Sequence, residues 1–268
     1  MLIAQLTDLH LRPCGLAANR VVESNTLVER AFARLAALHP APDILILSGD
    51  LTHCGEPDAY QLLAELLDRY IRMPVFIIPG NHDDRLAMRE ILGDRLAYAE
   101  RGPFIHGVVD DFPVRLVLLD SVVPGAPHGA LCADRLAFLD AALRAAPNRP
   151  TAIILHHPPI DCGIAHMDGM KLRDDEAFAA IVGRHAQVRA IWCGHVHRAV
   201  TGMCAGVPVS LAPSLVDSVV FDLAPTAPSA LVLEPSMFLL HRWSQAAGFV
   251  THTVFVEHFP GPFPYLPG

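Results

Sequence analysis

The sequence lacks the features that mark several specialised classes of protein. Its six cysteines include no CxxC pair, so we expect reduced thiols rather than a disulfide framework in a chain of this length. No apolar run approaches the roughly 18 residues that a membrane-spanning helix needs. The amino terminus has no basic region before its apolar residues, which does not fit a signal peptide. We therefore expect a cytoplasmic protein that makes no contact with a membrane.

Positive charge is also scarce. The 20 Lys and Arg residues are outnumbered by 28 Asp and Glu, the net charge is −8, and no stretch forms a basic block. An acidic surface repels a phosphate backbone, so a long nucleic acid is not an expected partner. Small phosphorylated molecules stay open as ligands, because bound metal ions can reverse the sign of the local charge. A hydrophobic fraction of 52% over 268 residues indicates one large globular domain, with room for a small appendage.

What the sequence does contain is a repeated pairing of short apolar runs with Asp, Asn or His. Each run predicts a buried strand, because it is short, apolar and ended by polar residues. We therefore expect five strand ends to carry potential metal ligands to one edge of a sheet. The clusters at these ends are Asp8-Leu9-His10, Gly49-Asp50, Pro79-Gly80-Asn81-His82-Asp83, His156-His157 and Gly194-His195-Val196-His197.

Between these clusters, apolar residues at helical spacing predict helices over about 19–38, 57–70, 85–92, 133–146 and 178–185. A hairpin in a second sheet is expected from the runs at 107–109 and 114–119. The last quarter of the chain reads as a succession of strands, followed by an extended tail from residue 259. Alternating strands and helices followed by strands alone predict an α/β fold with two sheets stacked face to face and helices outside.

The ligand types fit a pair of divalent cations about 3.5–4 Å apart. Asp8 and His10 are two residues apart on an extended segment and point the same way, so both can hold the first cation. Asp50 can bridge, because each carboxylate oxygen can bind a different cation. Asn81 and His156 can hold the second cation, and the remaining two histidines would close one cation each. These two are His195 and His197.

Sites rich in imidazole and oxygen suit Fe, Mn, Co or Zn. Two such cations lower the pKa of a bridging water enough to give hydroxide near neutral pH, and they stabilise negative charge on a phosphoryl group. His82 follows a ligand but would point elsewhere, so we interpret it as a general acid or hydrogen-bond donor to the leaving group. Asp83 could orient His82 or a ligand. The catalytic pair predicted from the sequence is therefore His82 and Asp50.

These five motifs, in this order, resemble the signature of the calcineurin-like metallophosphoesterases over about residues 1–215. More narrowly, the chain is similar to the bacterial class III cyclic-nucleotide phosphodiesterases, and especially to their glycerophosphodiesterase branch. Residues that carry the narrower resemblance include Cys54-Gly55, His156-His157-Pro158-Pro159 and Met167-Asp168.

The resemblance implies a four-layer αββα sandwich, a dinuclear metal site and hydrolysis of small phosphodiesters such as glycerophosphodiesters or 3',5'-cyclic nucleotides. It also implies a small C-terminal β-hairpin that helps subunits associate, matching the strand-rich region 230–255. We therefore divide the chain into a catalytic part, 1–225, and a hairpin with its tail, 226–268. The expected assembly is a homo-oligomer, either a dimer or a larger assembly of dimers.

One position departs from the branch. Where some members carry a substrate-pocket histidine, this chain has Asp217, which would disfavour an anionic group or favour a polar or cationic head group. Two alternatives also stay open. A phosphomonoesterase on the same fold would need an arginine-rich pocket, and the motifs show no such cluster. A non-catalytic binding scaffold would be expected to lose ligands. We expect most of the other histidines, including His53 and His157, to be structural or on loops.

Overall fold

The first of two large sheets is built by the strands that precede the first three clusters. In this computed structural model, which describes residues 1–265, β1 (Leu2–Leu6), β2 (Ile44–Ser48) and β3 (Val75–Ile78) run parallel to one another. The chain returns to the same sheet near its end as β12 (Met237–Ser244), which pairs antiparallel with β1, and β13 (Gly248–Phe255), which pairs with β12.

The second sheet has six strands. Its order is β4 (Gly107–Val109), β5 (Arg115–Leu119), β6 (Thr151–Leu155), β7 (Val188–Cys193), β9 (Val207–Leu211) and β8 (Val200–Cys204). The β4–β5 pair is antiparallel, as predicted, and β5, β6, β7 and β9 run parallel. A further two-stranded sheet pairs β10 (Ser218–Val219) with β11 (Leu231–Val232).

Within residues 1–265, six α-helices and one short 3-10 turn connect the strands. The helices are α1 (Ser24–Ala36), α2 (Pro57–Tyr70), α3 (Arg85–Leu92), α4 (Ala133–Arg144), α5 (Ala165–Asp168) and α6 (Asp175–Val182), and the turn is Gly93–Leu96. The first helix starts later than predicted. Residues 18–22 form a tight turn closed by hydrogen bonds between the main chains of Ala18 and Val22, and the Glu23 side chain caps the helix that follows.

The alternation of side chains along each strand creates the layers. Leu45 and Leu47 of β2 face a core shared with the first three helices, whereas Ile44 and Ile46 face the second sheet. Likewise, Ile153 packs toward α4 and α6 while its neighbours pack between the sheets. Buried strands with apolar residues on both faces require this arrangement. The predicted four-layer αββα sandwich is confirmed.

The C-terminal hairpin is also present, but it joins the main body of the fold. Four residues of β1 pair in register with β12, and Phe238 of β12 is buried in the core of the first sheet. Within the described residues, the hairpin therefore extends the five-stranded sheet instead of standing apart from it. The division at residue 225 stays a prediction, and the predicted tail falls partly outside the described residues. No helix in the described part of the chain combines the length and apolarity needed to cross a bilayer.

Candidate active site

The five clusters meet at one end of the sandwich, although not on a single sheet. β1, β2 and β3 carry the first three clusters, while β6 and β7 of the other sheet carry the histidines. The expectation of one sheet edge was therefore wrong in this respect. Because the carboxyl ends of these parallel strands point the same way in both sheets, ligands from two layers converge on the seam between them.

Residues at this seam share an unusual backbone conformation. Of eight non-glycine residues with positive φ in the described chain, five are predicted metal ligands and two more line the adjacent cavity. Such φ values are uncommon outside glycine and concentrate at functional sites. The sharp turn at each strand end redirects the side chain into the seam. The five ligand residues and their φ values are Asp8 (53°), His10 (45°), Asp50 (50°), His195 (73°) and His197 (58°).

Asp50 occupies the middle of the group and is almost fully buried. Its Oδ1 accepts a hydrogen bond of 2.9 Å from the main-chain N–H of His82. Its other oxygen, Oδ2, lies 3.4 Å from Nε2 of His156 and 3.7 Å from Nε2 of His10. One carboxylate oxygen thus stands between a histidine predicted for each cation, which is the geometry expected of a bridging ligand.

Asp8 lies beside it with no exposed surface. Its Oδ2 accepts a hydrogen bond of 2.9 Å from the main-chain N–H of His195, and its Oδ1 lies 3.4 Å from Nε2 of His197. Asp8, His10, Asp50 and His197 offer ligand atoms that all lie within 4.8 Å of one another, and so do His156, His157 and His195. Two ligand-rich centres therefore lie side by side.

Two of the histidines are held with Nε2 directed at the seam. Nδ1 of His156 is 2.8 Å from the main-chain oxygen of Ser48, and Nδ1 of His197 is 3.1 Å from that of Asp217. A carbonyl oxygen can only accept, so in both rings the proton sits on Nδ1. Nε2 is left free to bind a cation, which is the usual arrangement for a metal-binding histidine.

The residues fit a pair of cations by a further test. Several buried polar atoms at the seam have no hydrogen-bond partner among the described residues, and a buried polar atom without a partner is costly. A cation would be the missing partner for each of them. These atoms are Asp8 Oδ1, Asn81 Oδ1, His156 Nε2 and His195 Nε2.

The protonation of the site is consistent with this role. Burial lowers the pKa of His10 and of His195 to about 3, so both rings are neutral, the form that binds metals. Burial also acts against charge on His156, but the neighbouring Asp50 carboxylate outweighs it and raises the pKa of His156 to about 9. In the cation-free chain a proton on His156 therefore offsets the carboxylate charge, and a bound cation would displace that proton.

Of the two roles considered for Asp83, orienting His82 or orienting a ligand, its contacts support the second, and they act through the main chain. Its carboxylate accepts hydrogen bonds from the main-chain N–H groups of Leu51, Thr52 and Gly80, and from the hydroxyl of Tyr60. These contacts clamp the loop after β2 to the loop after β3. Asp83 therefore fixes the positions of Asp50 and Asn81 relative to each other.

His82 faces the cavity in front of the seam. Its main-chain N–H is bonded to Asp50, and its Nδ1 lies 2.7 Å from the main-chain oxygen of His53. The ring stacks on that of His53, with centroids 5.2 Å apart and planes inclined by 19°. Since Nδ1 carries the proton given to the carbonyl, Nε2 is the atom that can act on a substrate.

The cavity has a volume of about 790 Å³ and opens on the seam. Apolar side chains such as Met167 and Leu231 form part of its wall, and Asp217 also lines it, as the resemblance to the branch implied. Sequence reasoning missed two arginines here: Arg12 follows His10 by two residues in the turn-rich segment after β1, and Arg20 lay within a predicted helix. Arg12 is paired with Glu56 at 3.1 Å, whereas Arg20 is exposed.

Two histidines expected to be structural or on loops also have defined places. His53 is half-buried, lines the cavity and lies against His10; no pattern in the sequence separates it from an ordinary loop residue. His157 is fully buried and its Nδ1 lies 2.8 Å from the hydroxyl of Ser121. The structural role expected of it stays a prediction, because its Nε2 has no partner in the described chain and lies near ligand atoms of His156 and His195.

Comparison with known proteins gives one consistent result. Residues 1–199 match the model of the family described as calcineurin-like phosphoesterase. The chain is 33% identical over 266 residues to a probable glycerophosphodiester phosphodiesterase GpdQ of Arcobacter nitrofigilis, covering 99% of this chain and 97% of that one. It is also 33% identical over 213 residues to the 3',5'-cyclic adenosine monophosphate phosphodiesterase CpdA of Vibrio vulnificus, covering 79% and 75% of the two chains. Among solved structures, a dimetal phosphatase from Danio rerio superposes with a TM-score of 0.62 at 15% identity, covering 96% of this chain and 99% of that one.

Proposed function

The chain belongs to the calcineurin-like phosphoesterase family, and on that basis we propose that it hydrolyses small phosphodiesters at a dinuclear metal centre. This membership confirms the resemblance found in the sequence motifs. The proposed substrates are glycerophosphodiesters or 3',5'-cyclic nucleotides, the two classes that appear in the names of its relatives. The proposed cations are drawn from Fe, Mn, Co and Zn, which suit imidazole and oxygen ligands.

The observation that carries the proposal is the position of Asp50. Its Oδ2 lies between His156 and His10, so one oxygen can contribute to both centres. We assign Asp8, His10 and His197 to one cation, with Asn81, His156 and His195 assigned to the other, and Asp50 to both. A pair of bound cations would supply a nucleophilic water at neutral pH and offset the charge that develops on phosphorus.

The remaining steps belong to the side chains of this protein. The His82 ring is held by its Nδ1 contact to the main chain of His53, which leaves Nε2 as the nitrogen available to a substrate in the cavity. A neutral ring in this tautomer accepts at Nε2. His82 must therefore be doubly protonated to donate a proton to the leaving oxygen, and we propose that it acts in that form. The Asp50 contact to its main-chain N–H keeps the ring next to the bridging ligand.

The cavity beside the seam would hold the two alcohol arms of a diester. Asp217 places a carboxylate there, with Oδ2 3.5 Å from Nδ1 of His197. We propose that it disfavours an anionic head group and also orients His197. Subunit association through the C-terminal hairpin, a dimer-based assembly and a cytoplasmic location remain part of the proposal.

Replacing Asp50 by Asn tests the proposal with little change in shape. The amide oxygen can still accept from the His82 N–H, but the nitrogen in place of Oδ2 cannot bridge two cations. With bis-p-nitrophenyl phosphate and added Mn²⁺ or Zn²⁺, we expect the variant to lose nearly all turnover and half or more of the bound metal. Asp94→Asn, at an exposed position in the 3-10 turn, is the matched control. Full activity in Asp50→Asn would end the assignment.

A phosphomonoesterase is the second candidate, because Arg12 and Arg20 line the cavity and a dianionic phosphate would need such charges. The pairing of Arg12 with Glu56 weakens this candidate, because the Glu56 carboxylate offsets the charge that Arg12 would offer to a phosphate. Arg20 is then the main positive charge left for a dianionic group. Comparing p-nitrophenyl phosphate with its diester, in wild type and in Arg20→Gln, separates the two functions. A preference for the monoester that disappears in Arg20→Gln would favour the phosphomonoesterase.

A further inference from the structure

One histidine of the cavity wall enters the proposed mechanism only through its main chain. The His53 side chain is half-buried and lines the cavity next to Asn81 and His82. It makes two further contacts. Its Nδ1 lies 3.3 Å from Nδ1 of His10, and its Nε2 lies 3.5 Å from the main-chain nitrogen of Asn19. The ring therefore connects a proposed metal ligand with the turn that forms the cavity rim.

The contact with His10 is unlike those of the neighbouring ligands. His156 and His197 direct Nδ1 at main-chain oxygens, which accept in every state. His10 directs Nδ1 at another imidazole, whose nitrogen can either donate or accept. The tautomer of His10 is therefore not fixed by a permanent acceptor. It depends on which of the two facing nitrogens carries the proton.

Binding of a cation decides which of the two facing nitrogens carries the proton. Nε2 of His10 lies among the ligand atoms of Asp50 and His197, so it must be free of a proton to bind a cation. A neutral His10 then carries its proton on Nδ1 and donates it to Nδ1 of His53. His53, also neutral, must in turn carry its own proton on Nε2. On loading, Nε2 of His10 releases its proton to solvent, the proton between the two Nδ1 atoms passes from His53 to His10, and Nε2 of His53 takes up a proton from solvent. The total charge of the two rings does not change.

This exchange alters the cavity wall. In the cation-free arrangement, Nε2 of His53 can accept the weak hydrogen bond from Asn19. Once Nε2 carries a proton, it and the main-chain N–H of Asn19 become two donors 3.5 Å apart that cannot satisfy each other. Asn19 is held in place by its left-handed backbone, with φ of 47°, at the first position of the tight turn after Ala18. Two adjacent donors at this spacing can share one acceptor oxygen.

We propose that His53 couples metal loading to substrate binding: when the metal centre is filled, its Nδ1 accepts a hydrogen bond from Nδ1 of His10, and its Nε2 then donates to an oxygen of the substrate's alcohol arm together with the N–H of Asn19. The inference rests on the proposed function. It adds that the site prefers arms carrying a hydroxyl or ether oxygen next to the scissile phosphate. Within it, His53 is a positioning residue toward the metal and a specificity-determining residue toward the substrate.

Two variants separate the two halves of the role. In His53→Asn, the amide oxygen falls near the position of Nδ1 and can accept from His10, but nothing reaches the position of Nε2. In His53→Gln, the amide nitrogen falls near the position of Nε2 and can donate into the cavity, but the acceptor for His10 is lost. His53→Phe keeps the stacking on His82 and removes both contacts. His252→Asn, on the exposed face of β13, is the control.

Metal affinity is measured on the apo protein by titration with Zn²⁺ against a competing chelator, which requires no turnover. We expect His53→Asn to bind as wild type and His53→Gln and His53→Phe to bind about 10- to 100-fold more weakly, the usual effect of losing a partner of a metal-binding histidine. In the zinc-loaded wild type, ¹⁵N imidazole spectra should place the His53 proton on Nε2. Unchanged affinity in His53→Gln, or a proton on Nδ1 in the loaded protein, would overturn the proposal.

Substrate recognition is measured with glycerol 3-phosphate as a competitive inhibitor of bis-p-nitrophenyl phosphate hydrolysis at saturating metal. We expect the Ki to rise about tenfold in His53→Asn, as for one lost hydrogen bond, and to stay near wild type in His53→Gln. The control His252→Asn should leave both the Ki and the KM for the aryl diester at their wild-type values. Equal Ki values in wild type and His53→Asn would refute the proposed contact between His53 and the substrate. A wild-type protein inactive on every diester would instead refute the proposed function.

Discussion

The ion pair between Arg85 and Asp120 should make an unusually large contribution to stability. Arg85 begins α3, three residues after His82, and its guanidinium forms two hydrogen bonds of 2.6 and 2.7 Å to the Asp120 carboxylate. Asp120 has no exposed surface, and the Arg85 side chain is only 15% exposed. Replacing Arg85 by Met keeps most of the apolar stem but leaves a buried carboxylate without its counter-charge. Removing one partner of a buried pair costs about 3–5 kcal/mol.

The N–H groups of Ile105 and Val122 still donate to Asp120, so we expect the loss in Arg85→Met to lie near 3 kcal/mol. Urea unfolding at fixed metal concentration measures it, and at about 2 °C per kcal/mol the thermal midpoint should fall by roughly 6 °C. Arg30→Met is the matched control, because Arg30 is 53% exposed in its pair with Glu257 and such pairs contribute about 1 kcal/mol or less. If Arg85→Met and Arg30→Met destabilised the protein equally, the reasoning would be refuted.

Two further predictions concern the core and the seam. Gly80→Ala should abolish metal binding and activity, because a Cβ at this position would collide with the Asp50 carboxylate and main chain; Gly93→Ala, where a Cβ meets open space, should be neutral, and equal metal content in the two would contradict the prediction. The second concerns His241, which is fully buried against Trp192, between Gln5 and Thr251, and whose pKa burial lowers to about 3. The neutral His241 ring therefore contributes fully to the free energy of unfolding above the unfolded pKa of about 6.5, and this contribution is lost by about 1.4 kcal/mol per pH unit as pH falls from there toward 3. His241→Gln should reduce the pH dependence of the free energy of urea unfolding by one proton in this range. An unchanged slope would contradict the prediction.

Strand ends and ligand types could be predicted from the sequence, because both depend on local pattern. Short apolar runs predict a strand before each of the five clusters, and the structure has β1, β2, β3, β6 and β7 at these places. The division of these strands between two sheets could not be predicted as readily, since a strand buried on both faces shows no alternation that reveals its neighbours. Pairing of β12 with β1 joins residues more than 230 positions apart, and no local pattern encodes it.

The parts of the site that were missed are held by turns and not by strands. Asn19 and Arg20 lay within a predicted helix because apolar residues nearby have helical spacing. In the structure both residues have a left-handed backbone, which is incompatible with a right-handed helix, and both line the cavity. His53 could not be distinguished from other loop histidines, because its significance depends on the ring of His10, 43 positions away. Contacts of this kind follow from the tertiary arrangement of loops.

The left-handed ligands and the unpartnered atoms together imply that the cation-free protein is strained at its site. Each non-glycine residue in this conformation costs about 1–2 kcal/mol, and five of the proposed ligands adopt it. Buried atoms such as Asp8 Oδ1 and His195 Nε2, which have no hydrogen-bond partner among residues 1–265, add a further cost. Cations that bind only the folded chain offset these costs, by about 2.7 kcal/mol at a concentration 100 times the Kd. Titrating the apo protein with Mn²⁺ or Zn²⁺ should therefore raise the thermal midpoint by about 5 °C, and His195→Ala should lose much of that rise. A midpoint that is the same with excess chelator and with excess metal would show that these residues do not converge on cations.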